Sequence, residues 1–147
     1  MISISVADGA GLQNYDAVLE HIFNTHRTTN TVKESWLSAM REREAEYPTG
    51  IELEGYSIAI PHCDSEHANQ PAIYIIRLPD AIPVNRADED GILWVRLVVN
   101  LIVTDPADQL RLLRSLFNHL QNEEFYQNLL TLPVDDAKAL FVSKIIQ

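Results

Sequence analysis

The stretch "ILWVRLVVNLIV", residues 92–103, decides the fold class. Its odd positions, Leu93, Val95, Leu97, Val99, Leu101 and Val103, are all apolar, the period-two pattern of a strand with one face in a core. The even positions include Trp94, Arg96 and Asn100, so the second face is expected to meet something polar. Such a strand needs partners, and two shorter runs supply them. "SIAI" (57–60) stops at Pro61, and "AIYIIRL" (72–78) lies between Pro71 and Pro79.

Helical periods surround these strands. Residues 13–27 place Val18, Leu19, Ile22 and Phe23 on one face. Thr31 and Glu34 have capping-box spacing, which predicts a helix from there to about Glu46 with Trp36, Leu37 and Met40 inward. "YPTG" (47–50) breaks it. After the long strand, Asp105 reads as an N-cap, with Pro106 at the first helical position and Asp108 favourable to the helix dipole. Leu110, Leu113, Leu116, Phe117 and Leu120 are expected to form the buried face of 105–120. Residues 122–131 and 134–146 predict two more helices. The sum is an α/β fold, a single-domain sandwich over residues 1–147 with a central mixed β-sheet flanked by helices.

Bulk properties narrow the function. The chain has 147 residues, 46% of them apolar, enough for a core without disulfides or structural metals. Its single cysteine cannot form an internal disulfide. Twenty-one acids against 11 Lys and Arg give a formal charge of −10. That surface repels nucleic acid and anionic membrane, and it either favours a basic protein partner or simply keeps the domain soluble. No basic start followed by a long apolar run is visible at the N-terminus, and the apolar stretches are strand-sized, so a cytoplasmic protein without membrane insertion is expected.

The chemistry concentrates in "GYSIAIPHCDSEH" (55–67). His62 follows a strand and a proline, where a rigid backbone presents a side chain at a sheet end. Neutral imidazole is a nucleophile near pH 7, and the bond made by one ring nitrogen selects the other for reaction. An inert loop histidine is the more common outcome of such a pattern. A metal set of His62, Cys63 and His67 is the rival, without a second Cys/His cluster or regular zinc spacing to support it. Cys63 alone most often reads as a small hydrophobe. With five glycines, no GxxxxGK and no GxGxxG, the chain has no nucleotide cradle, and no cofactor is expected. Arg41 falls about 100° from the centre of the Trp36–Leu37–Met40 stripe and Arg43 about 60°, so Arg43 is expected to point inward or along the domain surface near the "YPTG" turn. A snorkelling arginine over apolar surface fits the same phase. His21, His26 and His119 read as ordinary packing or surface residues.

"REAEYPTGI" (43–51) followed by "AIPHC" (59–63) resembles the Arg-Glu…Ser/Thr-Gly-Ile…Ala-Ile-Pro-His signature of the enzyme IIA components of the bacterial sugar phosphotransferase system, in the mannitol/fructose branch. Within that branch it is most similar to the galactitol-specific type, where "PTGI", "AIAIPHC", a histidine five residues beyond the first and "QLxLLRxLF" recur. The resemblance implies that His62 is phosphorylated, receiving a phosphoryl group from the carrier HPr. It would pass that group to a cysteine of a cognate IIB protein serving a IIC membrane transporter. It implies Nε2 as the reacting nitrogen and Arg43 as the arginine attending the phosphohistidine. Two departures stand out. Residues 43–62 are about three longer than in the mannitol and nitrogen-regulatory members, and their second active-site histidine is replaced by Gln109, an amide donor in a helix's first turn. A phosphorylation-dependent regulatory module of the same fold and a metal-binding domain are the competing functions.

Overall fold

The computed structural model describes residues 2–146. One five-stranded sheet in the order β1-β4-β5-β3-β2 is built from β1 (Ser3–Asp8), β2 (Gly50–Leu53), β3 (Tyr56–Ala59), β4 (Ala72–Asn85) and β5 (Ile92–Ile102). β1 runs parallel to β4 and β3 parallel to β5, while β4–β5 and β2–β3 are antiparallel, so the sheet is mixed as expected. Helices α1 (Tyr15–Thr28) and α2 (Trp36–Glu46) cover one face. The other is covered by α3 (Pro106–Leu120), α4 (Glu123–Thr131) and α5 (Val134–Phe141), the last extended by a π turn through Ile146.

β5 shows why this sequence makes a sandwich. From Leu97 to Ile102 every residue is buried, because helices lie on both sides. The expected polar environment of its even face is therefore wrong for this half. Val98 and Ile102 join the α1/α2 core, and Asn100 is buried between them. The odd positions also divide. Leu93 and Val95 pack toward α1/α2, whereas Leu97, Val99, Leu101 and Val103 pack toward α3–α5. The switch coincides with a register shift, where an odd step on β4 (Arg77 to Ile82) opposes an even step on β5 (Val95 to Leu97). That bulge also explains how β4 continues through Pro79, beyond the stop predicted there. Proline lacks a ladder donor and is tolerated where pairing is interrupted.

α2 begins at Trp36, so the predicted capping box does not form. Thr31 is buried, and its hydroxyl bonds that of Thr29. Residues 31–32 run extended, with Val32 bridging Ala68 and the Thr31 carbonyl accepting from Asn69 and Gln70. Trp36 and Met40 then anchor the helix in the core, and truncating Trp36 to alanine would cost about 3–5 kcal/mol. On α3, Asp105 caps the Ala107 N–H as predicted, but the apolar phase is rotated. Leu112, Leu116 and Leu120 are buried, while Leu110 and Phe117 face solvent.

Gly50 opens β2 because nothing larger fits. A Cβ there would meet the Asn85 carbonyl oxygen at 2.4 Å, where the distal β4–β5 hairpin folds across the edge. The Gly50 carbonyl accepts the Ala87 N–H at 2.8 Å, pinning the hairpin to the segment between α2 and β2. The "YPTG" turn is thereby tied to the hairpin through Gly50.

Candidate active site

Beyond β3 the chain continues through Ile60 and Pro61 to His62. The Ile60 N–H donates to the Thr49 carbonyl (3.2 Å), and the Leu101 N–H donates to the Pro61 carbonyl (3.1 Å). The approach to His62 is thus laced to both neighbouring segments. His62 itself is half-buried, and its Nδ1 lies 2.7 Å from the Ile60 carbonyl. A carbonyl only accepts, so Nδ1 carries the proton and Nε2 keeps its lone pair. Burial, with a smaller contribution from the Arg43 charge, lowers the pKa of His62, and the Ile60 bond opposes this. The result is a neutral imidazole with one defined reactive nitrogen.

Arg43, in the last turn of α2, donates from Nη2 toward His62 Nε2 at 3.4 Å. Its Nε donates to the Tyr47 carbonyl (3.1 Å), and its guanidinium carbon sits 6.0 Å from the centre of the exposed Tyr47 ring. Of the two directions expected for Arg43, the structure shows the one along the surface near the turn, half-buried and reaching His62. Arg41 turns away and makes a bidentate pair with Asp16 (2.8 and 2.9 Å) and a contact with Glu20 (2.7 Å) on α1.

Glu44, the residue after Arg43, was not singled out by sequence reasoning. Its carboxylate accepts from the Thr49 N–H (3.1 Å), the Thr49 hydroxyl and the Tyr15 hydroxyl (3.0 Å). Desolvation raises its pKa despite those donors. The cluster staples the turn after α2, and the Thr49 carbonyl of that same turn holds Ile60. The available signal was an acid paired with Arg43 and followed by threonine in the turn.

Gln109 sits in the first turn of α3 and donates from Nε2 to the Cys63 carbonyl at 3.1 Å. One of its amide N–H groups is thus engaged with the residue that follows His62. The candidate metal residues diverge. Cys63 packs against the α1/α2 core, with its thiol pushed up to about 12, mainly by burial. His67 Nδ1 bonds the Ser35 hydroxyl at 2.7 Å. Among the described residues no group of three or more His, Cys, Asp or Glu is placed to hold a metal ion. An open groove of about 430 Å³ between α2 and residues 63–67 is lined by Arg43 and by the acids Glu42, Glu46, Asp64 and Glu66.

The remaining histidines pack within the fold, as expected. His26 is buried, and its Nε2 lies 2.8 Å from Asn100 Oδ1. His21 Nε2 lies 2.7 Å from the Tyr74 hydroxyl, and His119 tilts against Phe125. Among the described residues no helix is long and apolar enough to cross a membrane.

Known proteins are similar to this chain in sequence and in fold. The family model described as "Phosphoenolpyruvate-dependent sugar phosphotransferase system, EIIA 2" matches residues 5–142. The galactitol-specific EIIA component of Escherichia coli (strain K12) is 40% identical over 146 residues, 99% of this chain and 97% of that protein. Two solved structures share the fold. The complex of enzyme IIAMTL and phosphorylated enzyme IIBMTL from Escherichia coli superposes with a TM-score of 0.75 at 20% identity, covering 95% of this chain and 94% of the matched one. The nitrogen regulatory protein IIA-Ntr from Neisseria meningitidis gives 0.73 at 18% identity, covering 93% and 91%.

Proposed function

Because the chain belongs to the EIIA 2 family of the phosphoenolpyruvate-dependent sugar phosphotransferase system, whose members transfer phosphoryl groups, we propose that it relays a phosphoryl group through His62 in galactitol-type sugar uptake. One observation supports this most: His62 Nδ1 is bound to the Ile60 carbonyl while Nε2 is turned to Arg43. The donor is the phosphohistidine of HPr, the acceptor is a cysteine of the cognate IIB protein, and the setting is the cytoplasm beneath a IIC transporter.

The electron count is simple. The Nε2 lone pair attacks phosphorus in line, and the donor P–N bond breaks with its pair returning to the HPr ring. The His62 ring is then N-phosphorylated and protonated at Nδ1. The resulting cation is stabilised by the Ile60 carbonyl and primed to leave. An incoming cysteine thiolate forms S–P, and the N–P pair returns to Nε2. No proton need enter or leave His62. Charge moves mostly on the phosphoryl oxygens, so placement and a forked cation do the work. Arg43 supplies that cation. Gln109 supports the Cys63 carbonyl and has a second amide N–H available for a phosphoryl oxygen.

The test is to load the protein with phosphoryl groups and mix it with galactitol IIB. Loss of the label from His62 and its appearance on a IIB cysteine is the expected result. A loaded protein that discharges only to water would contradict the relay.

A further inference from the structure

Asn100 is the anomaly of the core. It lies in the middle of β5 with no exposed surface, flanked on the same face by the apolar Val98 and Ile102. A buried amide destabilises a core unless all its polar atoms are satisfied, and a leucine of similar shape would avoid that cost. Here each end of the amide has a partner. Nδ2 donates to the Pro61 carbonyl at 3.1 Å, and Oδ1 lies 2.8 Å from His26 Nε2 on α1. The direction of the chain is fixed by its last member. The Pro61 carbonyl accepts, Asn100 therefore donates from nitrogen and accepts at oxygen, and His26 must carry its proton on Nε2. Neutral His26 meets that need, and burial favours the neutral form. The ring is also fixed by the edge of Tyr74, 5.8 Å away between centroids.

The Pro61 carbonyl belongs to the peptide unit that enters His62, and it accepts a second bond from the Leu101 N–H. With both lone pairs engaged, the plane of that peptide cannot rotate. From that fixed peptide the His62 ring turns back to the Ile60 carbonyl, the contact that leaves Nε2 with its lone pair. We infer that Asn100, oriented by His26, is a positioning residue that fixes the backbone at Pro61–His62 and thereby the tautomer and aim of the His62 ring. This rests on the reading of His62 as the phosphorylated residue. Neither side chain lies at the partner-facing surface, so the effect belongs in the chemical step and not in docking.

The experiment compares the parent with Asn100→Asp, Asn100→Leu, His26→Leu and His26→Gln. Two readouts are used: ring-nitrogen NMR of His62, and phosphoryl uptake from phospho-HPr resolved into kcat and KM. Asn100→Asp keeps an acceptor for His26 but turns an oxygen toward the Pro61 carbonyl. It should lower kcat about tenfold or more, the scale expected when a group that orients a reactive imidazole is lost, with KM little changed. The Nδ1-protonated signature of His62 should give way to a tautomer mixture. His26→Leu should behave similarly, and His26→Gln, whose terminal amide can replace the Nε2 donor, should restore both readouts.

Folded Asn100 variants with the parent's kcat and His62 tautomer would overturn the inference and make Asn100 a sheet residue only. If the Asn100 variants do not fold, the His26 pair decides: slow His26→Leu with rescue by glutamine supports positioning, and equal behaviour refutes it. Failure of the underlying reading looks different. A His62→Ala chain that still accepts phosphoryl groups would remove His62 as the acceptor, while the NMR comparison would still decide whether Asn100 sets the ring.

Discussion

Arg43 Nη2 stands 3.4 Å from His62 Nε2, although 19 positions separate the two residues in the chain. α2 ends just where a guanidinium in its last turn reaches the strand end beyond β3. An arginine there is permanently charged and presents a fork to phosphoryl oxygens.

Arg43→Ala should therefore slow phosphoryl uptake by about 10–100-fold, corresponding to about 1.5–3 kcal/mol for hydrogen bonds to a charged group. Its circular dichroism should match the parent, since the side chain is not in the core. Arg41→Ala should leave uptake unchanged, because Arg41 is committed to Asp16 and Glu20 on α1. Equal rates in the two variants would reduce Arg43 to a packing residue.

The pH response follows from buried His26 and half-buried His62. His62 and His26 both have pKa values lowered from the ordinary 6.5, chiefly by burial. The folded state then binds fewer protons than the unfolded chain just below 6.5. The stability these groups contribute is present above 6.5 and is lost as pH falls through their folded values. Nucleophilic His62 should remain neutral somewhat below 6.5, so uptake should hold its rate there. Arg43→Ala removes a cation beside the ring and should raise the His62 pKa. NMR titration of the ring signals reads both effects, and a His62 midpoint above 6.5 in the parent would contradict the site as described.

Gln109 lies next to the segment that carries His62, with its Nε2 on the Cys63 carbonyl. Its bond to the Cys63 carbonyl makes Gln109→Ala the loss of one neutral hydrogen bond, about 0.5–1.5 kcal/mol, and so a modest slowing of about 2–10-fold. Gln109→His should keep activity and add a titration near neutral pH that the parent lacks. Rate–pH curves for the three proteins decide it. A parent-like rate in the alanine variant would leave Gln109 as a helix-start residue with no part in transfer.

The acids along the groove beside Arg43, within a chain of net charge −10, would attract a donor with a basic face. Complementary charge acts mainly on encounter, so uptake from phospho-HPr at low protein concentration should slow as salt rises. A rate indifferent to salt would mean apolar contacts govern docking. Exposed Leu110 and Phe117 would then be the first residues to test.

Much of this was legible in the residues, and the misses have physical causes. The period-two run 92–103, the proline-bounded strands and the Asp105–Pro106 helix start led directly to the mixed sheet and its helices. β1 went unread although Ile4 and Val6 alternate with serines in the period of a half-buried strand, because the run is short and lacks flanking strand-sized apolar residues. The segment becomes a strand only by pairing with β4, far along the chain. β2 is four residues opening on glycine, too short to show a period. On α3, leucines and Phe117 cover more than one face, so two rotations satisfy the pattern, and docking on the sheet chose Leu112. Arg43 was found because helical phase is local. The His26–Asn100–Pro61 chain was missed because its partners meet across the sheet. The one local clue was a polar Asn100 in an otherwise apolar half-strand.

The most direct test of the central claim is intact-mass measurement after incubation with phosphoenolpyruvate, enzyme I and HPr. One acid-labile phosphoryl group per chain is expected on the parent and on His67→Ala, whose ring is held by Ser35, and none on His62→Ala. A phosphoryl group that persists on the His62→Ala chain would contradict the account.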